Sequence, residues 1–261
     1  MKTFKNFLVL LVLVVSIAVP MRTYASSVEP KDSSEDETEE FAIDGMYATV
    51  RYADSVNMRS EPSSSSELLT TIPAGEHFEI VDQNRKWFKV NYNSMTGYVF
   101  WKYISFEEED TSNELSNIIG HSIIQYKSSE NRDNNMKIAC DTINGLVLKP
   151  GDTFRWSKVV GKTTAKKGYL TAPVIINKKP AQGLGGGVCQ VSTTLYNALR
   201  DTSIVPDELH KHSIGSAYAE NDATVAYGSK DFAFTNSYDY PIEIVAHSYK
   251  AVVEIKLLKI E

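Results

Sequence analysis

Between residues 44 and 106 apolar and polar positions alternate in short runs, each closed by turn residues. Residues 47–51 form the first run. Residues 56–59 follow and end in the turn-rich stretch Ser60-Glu61-Pro62-Ser63-Ser64-Ser65-Ser66. Residues 68–72 lead into the turn Pro73-Ala74-Gly75, and residues 78–81, 87–92 and 97–103 complete the series. A period of two marks a half-buried strand, and five or six such strands in about sixty residues predict a small antiparallel barrel.

After residue 117 the periods are mixed. Residues 123–126 read as a short strand. Residues 134–144 place Met136, Ala139, Cys140 and Ile143 at helical spacing, with Gly145 as the stop. Lys149-Pro150-Gly151-Asp152 is a tight turn, residues 153–156 are a strand or the edge of a pocket, and residues 172–177 form a strand. The run Gly183-Leu184-Gly185-Gly186-Gly187-Val188-Cys189 then opens a helix with Val191, Leu195, Ala198 and Leu199 at helical spacing. Short strands follow at 222–225 and 231–236. Residues 242–247 and 251–258 alternate around Ser248-Tyr249-Lys250 and predict a β-hairpin. The fold class expected is α+β: a small all-β barrel, then a domain with helices early and strands late.

The two ends of this pattern are set off by composition. Lys2 and Lys5 precede an apolar run from Phe7 to Val19, and Thr23-Tyr24-Ala25 is a small-x-small site, so residues 1–25 read as a secretory signal cleaved after Ala25. The run is shorter than the ~20 apolar residues of a spanning helix, which argues against a retained anchor. No cysteine follows it, which argues against a lipid anchor. Residues 26–43 are rich in Ser, Glu and Asp and read as a solvated, disordered linker. A second acidic stretch, 107–116, separates the two domains, leaving 44–106 and 117–261. The net charge of −6 argues against nucleic acid as the main partner. The membrane would be met only transiently, through the signal segment.

Triple glycine implies a backbone path that a Cβ would obstruct. Cys189 falls at the start of a helix, where unpaired N–H groups and the helix dipole favour a thiolate. The alternative is a tight turn with a small buried cysteine behind it. A thiol nucleophile needs a base within hydrogen-bond reach and a group to orient that base. Of His121, His210, His212 and His247, the best placed is His212, with Asp222 or Asp231 to orient it. Gly186, Gly187 and Gln190, with N–H groups at the helix start, are candidates for an oxyanion site or pocket, and Ser192 and Thr193 supply hydroxyls or close the first turn. No metal site is expected: beyond His210/His212 no closely spaced ligand pair supports one. No cofactor is expected either, since a phosphate-binding loop would need a Lys-Ser/Thr ending that the glycine run lacks. Cys140 and Cys189, in an exported chain, could form a disulfide, or Cys140 could be plain core.

The order Val56-Asn57-Met58-Arg59-Ser60-x-Pro62, Ile72-Pro73-Ala74-Gly75, Trp87-Phe88-Lys89-Val90, Gly97-Tyr98-Val99 and Tyr103-Ile104 resembles the bacterial SH3-like family. That resemblance implies a domain that binds cell wall or peptidoglycan. The aromatic richness of the segment suits a groove for peptide or sugar, for which Tyr52, Trp101 and Tyr103 are the candidates, with Trp87 assigned to the core. From about residue 118 to 244 the chain resembles the VanW family, through Lys149-Pro150-Gly151-Asp152-Thr153-Phe154, Gly185-Gly186-Gly187-Val188-Cys189-Gln190-Val191-Ser192-Thr193-Thr194-Leu195-Tyr196-Asn197-Ala198, His212-Ser213, Asp222-Ala223-Thr224-Val225 and Asp231-Phe232-x-Phe234-x-Asn236. The resemblance implies an envelope setting but no reaction. Arg155-Trp156 and Lys162 depart from its usual pattern. The expectation is an extracellular, wall-associated protein with peptidoglycan or wall peptide as partner. In one reading Cys189, His212 and Asp222 catalyse hydrolysis or transfer on peptidoglycan peptides. In the other the domain is a non-catalytic envelope-binding or accessory protein linked to glycopeptide resistance.

Overall fold

In the first domain the alternation of the sequence becomes seven strands: β1 (Met46–Val50), β2 (Ser55–Arg59), β3 (Leu68–Pro73), β4 (His77–Asn84), β5 (Trp87–Tyr92), β6 (Met95–Phe100) and β7 (Ile104–Ser105). They form one antiparallel sheet in the order β3-β2-β6-β5-β4-β1-β7. The inward positions are the apolar ones: Val56 and Met58 on β2, Phe88 and Val90 on β5, and Val99 on β6 are all buried. The β5–β6 connection shows why the register is fixed. Tyr92 pairs with Met95, and the two residues between them, Asn93 and Ser94, both take positive φ (48° and 63°). A two-residue turn of this kind matches the right-handed twist of its strands.

The computed structural model describes residues 46–51, 53–84, 86–106, 117–176, 179–212 and 221–261. The expected signal segment, both acidic linkers and Tyr52 lie outside the described residues.

The second domain continues with β8 (Ile118–Gln125), α1 (Glu130–Ile143), β9 (Leu146–Leu148), β10 (Thr153–Arg155), the short α2 (Trp156–Val159), β11 (Thr171–Ile176), β12 (Lys179–Leu184), α3 (Val188–Leu199), β13 (Pro206–Glu208), β14 (Ala233–Thr235), β15 (Ile242–Tyr249) and β16 (Val252–Lys259). The expected C-terminal hairpin is β15–β16. It is the centre of a four-stranded sheet, β8-β16-β15-β9, so the first strand of the domain pairs with the last. Helices and strands therefore interleave along the chain, where the sequence pattern predicted helices first and strands later. Residues 222–225, expected as a strand, are a loop.

One face of this sheet carries the helices. Met136, Ala139, Cys140 and Ile143 of α1 and Val191, Leu195, Ala198 and Leu199 of α3 pack with Ile244, Val253, Ile255 and Leu257 into a single core. The other face carries the barrel. Ile123 of β8 and Val252 of β16 belong to the barrel's own core, beside Val50, Phe88 and Phe106. Phe106 meets Tyr249 at 5.6 Å and Trp101 meets His121 at 4.9 Å between ring centroids. Gln83 of β4 donates to the Ile123 carbonyl (3.3 Å) and accepts from the Gln125 N–H (2.7 Å). The polar residues of the β16 alternation, Glu254 and Lys256, thus face the barrel and are 0% and 1% exposed. Burying a charge is costly unless it is paired. Glu254 accepts from His121 Nε2 at 2.8 Å and lies 3.9 Å from Lys256 Nζ. The barrel and the second domain are therefore packed together within one compact unit.

Candidate functional site

The glycine run forms the joint between β12 and α3. Gly187 is the N-cap of α3 at φ 107°, and Gly185 has φ 78°. Both values suit glycine far better than any residue with a Cβ. Gly186 is required for a different reason: a Cβ there would stand 2.5 Å from the Pro173 carbonyl oxygen and 2.7 Å from the Ala172 carbonyl. The run is held against α1 by Asn135, which is fully buried. Its amide donates to the carbonyls of Leu170 (2.9 Å) and Gly186 (3.1 Å), and its oxygen accepts from the Leu170 N–H (2.7 Å).

This path delivers Cys189 to the first turn of α3, half-exposed in a cleft of about 420 Å³. The cysteine Sγ donates to the Val225 carbonyl (3.3 Å), and His212 lines the same cleft, close enough for the sulfur to act on the charge of its ring. His212 Nδ1 donates to Asp222 Oδ2 at 2.6 Å, which leaves Nε2 as the ring nitrogen for the sulfur. Asp222 also accepts from the His212 backbone N–H (2.5 Å) and from the Thr193 hydroxyl on its other oxygen (3.2 Å). Thr193 in turn accepts the Ala223 N–H at 3.1 Å. The order is therefore thiol, imidazole, carboxylate, with a buried hydroxyl behind.

The electrostatics follow from these contacts. The Asp222 carboxylate, then the Cys189 thiol, raise the His212 pKa from 6.5 to about 9, against the opposing effect of burial. Burial pushes Asp222 up, but the His212 ring and backbone and Thr193 outweigh it, and the carboxyl stays below its ordinary value. Cys140 shares none of this. It is fully buried on α1, and burial pushes its thiol far above the usual range. Both cysteines are free thiols, so the expected possibility of a disulfide is not realised.

The other histidines are elsewhere: His121 on Glu254, His210 on Glu208 (3.1 Å) and His247 against Tyr249. Asp231, the alternative orienter, binds Ser157 (2.5 Å) and Arg155 (3.1 Å), and these contacts overcome burial to lower its pKa. Among the expected oxyanion and pocket residues, Gly187 lines the cleft and Gly186 lies buried behind it. Gln190 is a correction. It is fully buried, its oxygen accepts from Arg132 (2.7 Å) and its amide donates to the Gln125 carbonyl (2.9 Å), so it braces α3 rather than facing the cleft. Ser192 is likewise turned inward, onto the Ala223 carbonyl (2.6 Å). Thr193 supports Asp222 and does not line the cleft. Nothing in the sequence pattern marks Asn135, Arg132 and Ser157, because their roles depend on contacts 35 to 74 residues away. Among the described residues no group of three or more His, Cys, Asp or Glu is arranged to hold a metal ion.

On the barrel a second, open groove of about 810 Å³ is lined by Trp87, Phe100, Tyr103, Asn57 and Arg59. Two aromatic assignments are reversed here. Trp101, expected in the groove, is 6% exposed because it is pressed onto His121 at the contact with the second domain. Trp87, expected in the core, stands in the groove edge-on to Phe100 at 5.3 Å. Tyr103 is exposed in the same groove.

A small antiparallel barrel docked on an α+β domain that carries a Gly-Gly-Gly-x-Cys helix start defines a two-domain architecture. Residues 54–105 match the bacterial SH3 domain family and residues 131–258 match the family described as VanW like protein. The chain thus holds a bacterial SH3 domain followed by a VanW-like domain. It is 37% identical over 142 residues to the uncharacterized protein YoaR of Bacillus subtilis (strain 168), covering 53% of this chain and 47% of that protein. It is 30% identical over 122 residues to the vancomycin B-type resistance protein VanW of Enterococcus faecalis (strain ATCC 700802 / V583), covering 44% of each. The chain spans about half the length of these curated relatives, or less.

Proposed function

We propose that the VanW-like domain is a thiol-dependent acyl hydrolase or transferase acting on cell-wall peptides, and that the SH3 domain holds it at the wall from outside the cell. The observation that carries this reading is the continuous chain Cys189–His212–Asp222. His212 takes the Cys189 proton, and the thiolate attacks a peptide carbonyl carbon. The carbon–nitrogen bond then breaks. The imidazolium gives its proton to the departing amine, leaving a thioester on Cys189. Water or a second amine attacks the thioester carbonyl and releases Cys189. A histidine titrating near 9 is protonated at neutral pH, which suits a thiolate–imidazolium pair and the acid step that follows. The Cys189 N–H, in the first turn of α3, is a candidate donor to the oxyanion.

Labelling with iodoacetamide tests the reading. Cys189 should react at least tenfold faster than Cys140 in the native protein, and His212→Ala should remove the advantage. Equal, slow labelling of both cysteines would falsify it. The non-catalytic alternative has one feature in its favour, the Cys189–Val225 contact, which would give the thiol a packing role. Under that alternative His212→Ala leaves labelling unchanged.

A further inference from the structure

The walls of the Cys189 cleft differ in chemistry. One is the β11–β12 hairpin. Residues paired across an antiparallel ladder share a face, so Pro173 and Ile175 stand with Pro180, Gln182 and Leu184. All five are exposed, with Ile175 at 40% and Leu184 at 42%. On the opposite face Ala172 is buried against the domain, while half-buried Val174 also reaches the cleft. Four of the five outward residues are apolar, and four of them line the cleft together with Cys189.

The remainder of the cleft is mostly neutral but carries two cations. Lys230 and Arg132 line it, and exposed Lys162 lies between the lining residues Gly161 and Thr163. Its carboxylate, Asp231, is engaged by Arg155 and Ser157. Among the described residues Lys230 has no acidic partner within ion-pair distance. The chain as a whole carries −6, so this positive character is local.

We propose that the cleft binds an extended anionic peptide, with small or apolar side chains against Pro173, Ile175 and Leu184 and a carboxylate at Lys230. The inference rests on the thiol reading only for direction: the carbonyl to be attacked lies at Cys189 Sγ, which lines the same cleft. Stem peptides of the wall, with carboxylates and alanine methyl groups, have this chemistry.

The test uses the full chain with Cys189→Ala, which binds without reacting. Calorimetry compares the pentapeptide L-Ala-γ-D-Glu-L-Lys-D-Ala-D-Ala, acetylated at both amines so that it is anionic, with the same acetylated peptide amidated at both carboxylates. The acidic peptide should bind at least fivefold more tightly. Lys230→Gln should erase most of that difference and leave the amidated peptide's affinity in place, and Ile175→Ser should weaken both peptides severalfold. Equal affinities, no binding of either peptide at millimolar concentration, or indifference to Lys230→Gln overturns the proposal. Labelling of Cys189 in the wild-type chain reports separately on the thiol reading. Fast, His212-dependent labelling without peptide discrimination refutes only the ligand class.

Discussion

Replacing Asp222 with Asn is the perturbation whose consequence can be worked furthest. The carboxylate at 2.6 Å is the largest cause of the rise of the His212 pKa from 6.5 to about 9. That rise corresponds to roughly 3 kcal/mol of preference for the imidazolium, with His212 only 11% exposed. At pH 7.5 a group titrating near 9 is about 97% protonated. In Asp222→Asn the raising effect of Cys189 and the lowering effect of burial remain and oppose each other, so the ring should titrate near its ordinary value of about 6.5 and be roughly 10% protonated at the same pH. The sign for stability follows. A pKa raised on folding stabilises fully below the unfolded value of 6.5 and ceases to do so as pH rises through about 9. The wild-type protein should therefore lose up to ~3 kcal/mol between pH 6.5 and 9.5 in urea unfolding, and Asp222→Asn should be nearly flat over that window. NMR titration of the His212 ring protons supplies the direct readout. A wild-type midpoint near 6.5, or an unchanged midpoint near 9 in Asp222→Asn, would refute the reasoning.

Other outcomes follow from single contacts. Thr193→Val keeps volume but removes the hydroxyl behind Asp222, and should lower the His212 midpoint by less than Asp222→Asn does while slowing Cys189 labelling several-fold. Gly186→Ala places a methyl against the Pro173 carbonyl and should destabilise by about 2–4 kcal/mol in urea unfolding; a loss under about 0.5 kcal/mol would contradict the close approach. Trp101→Ala opens the barrel contact and should cost about 3–5 kcal/mol, measured by the same unfolding; a neutral result would mean that the barrel is only tethered.

The strands of the barrel and the C-terminal hairpin were legible because burial on one face writes a period of two, as at Val56 and Met58. The helix start at Val188 was legible from the glycines before it. What could not be read was set by contacts distant in sequence. Glu254 and Lys256 look like a solvent face, and only the docking of the barrel against β16 buries them. The same docking takes Trp101 out of the groove and leaves Trp87 in it. Gln190 follows the cysteine and resembles an oxyanion donor, yet the turn of α3 points it at Arg132 and the Gln125 carbonyl. For Cys189, His212 and Asp222 the residue types and their order suggested a partnership, and the fold supplies what the sequence does not contain: the 2.6 Å His212–Asp222 contact and a cleft shared by His212 and Cys189.

The central claim is that Cys189 is a nucleophile, and intact-protein mass spectrometry after incubation with purified stem peptides tests it most directly. A covalent acyl adduct should appear on Cys189, mapped by digestion, removable by hydroxylamine as a thioester and absent in His212→Ala. No adduct on Cys189 with any stem peptide, in a folded protein whose His212 titrates near 9, would contradict the account.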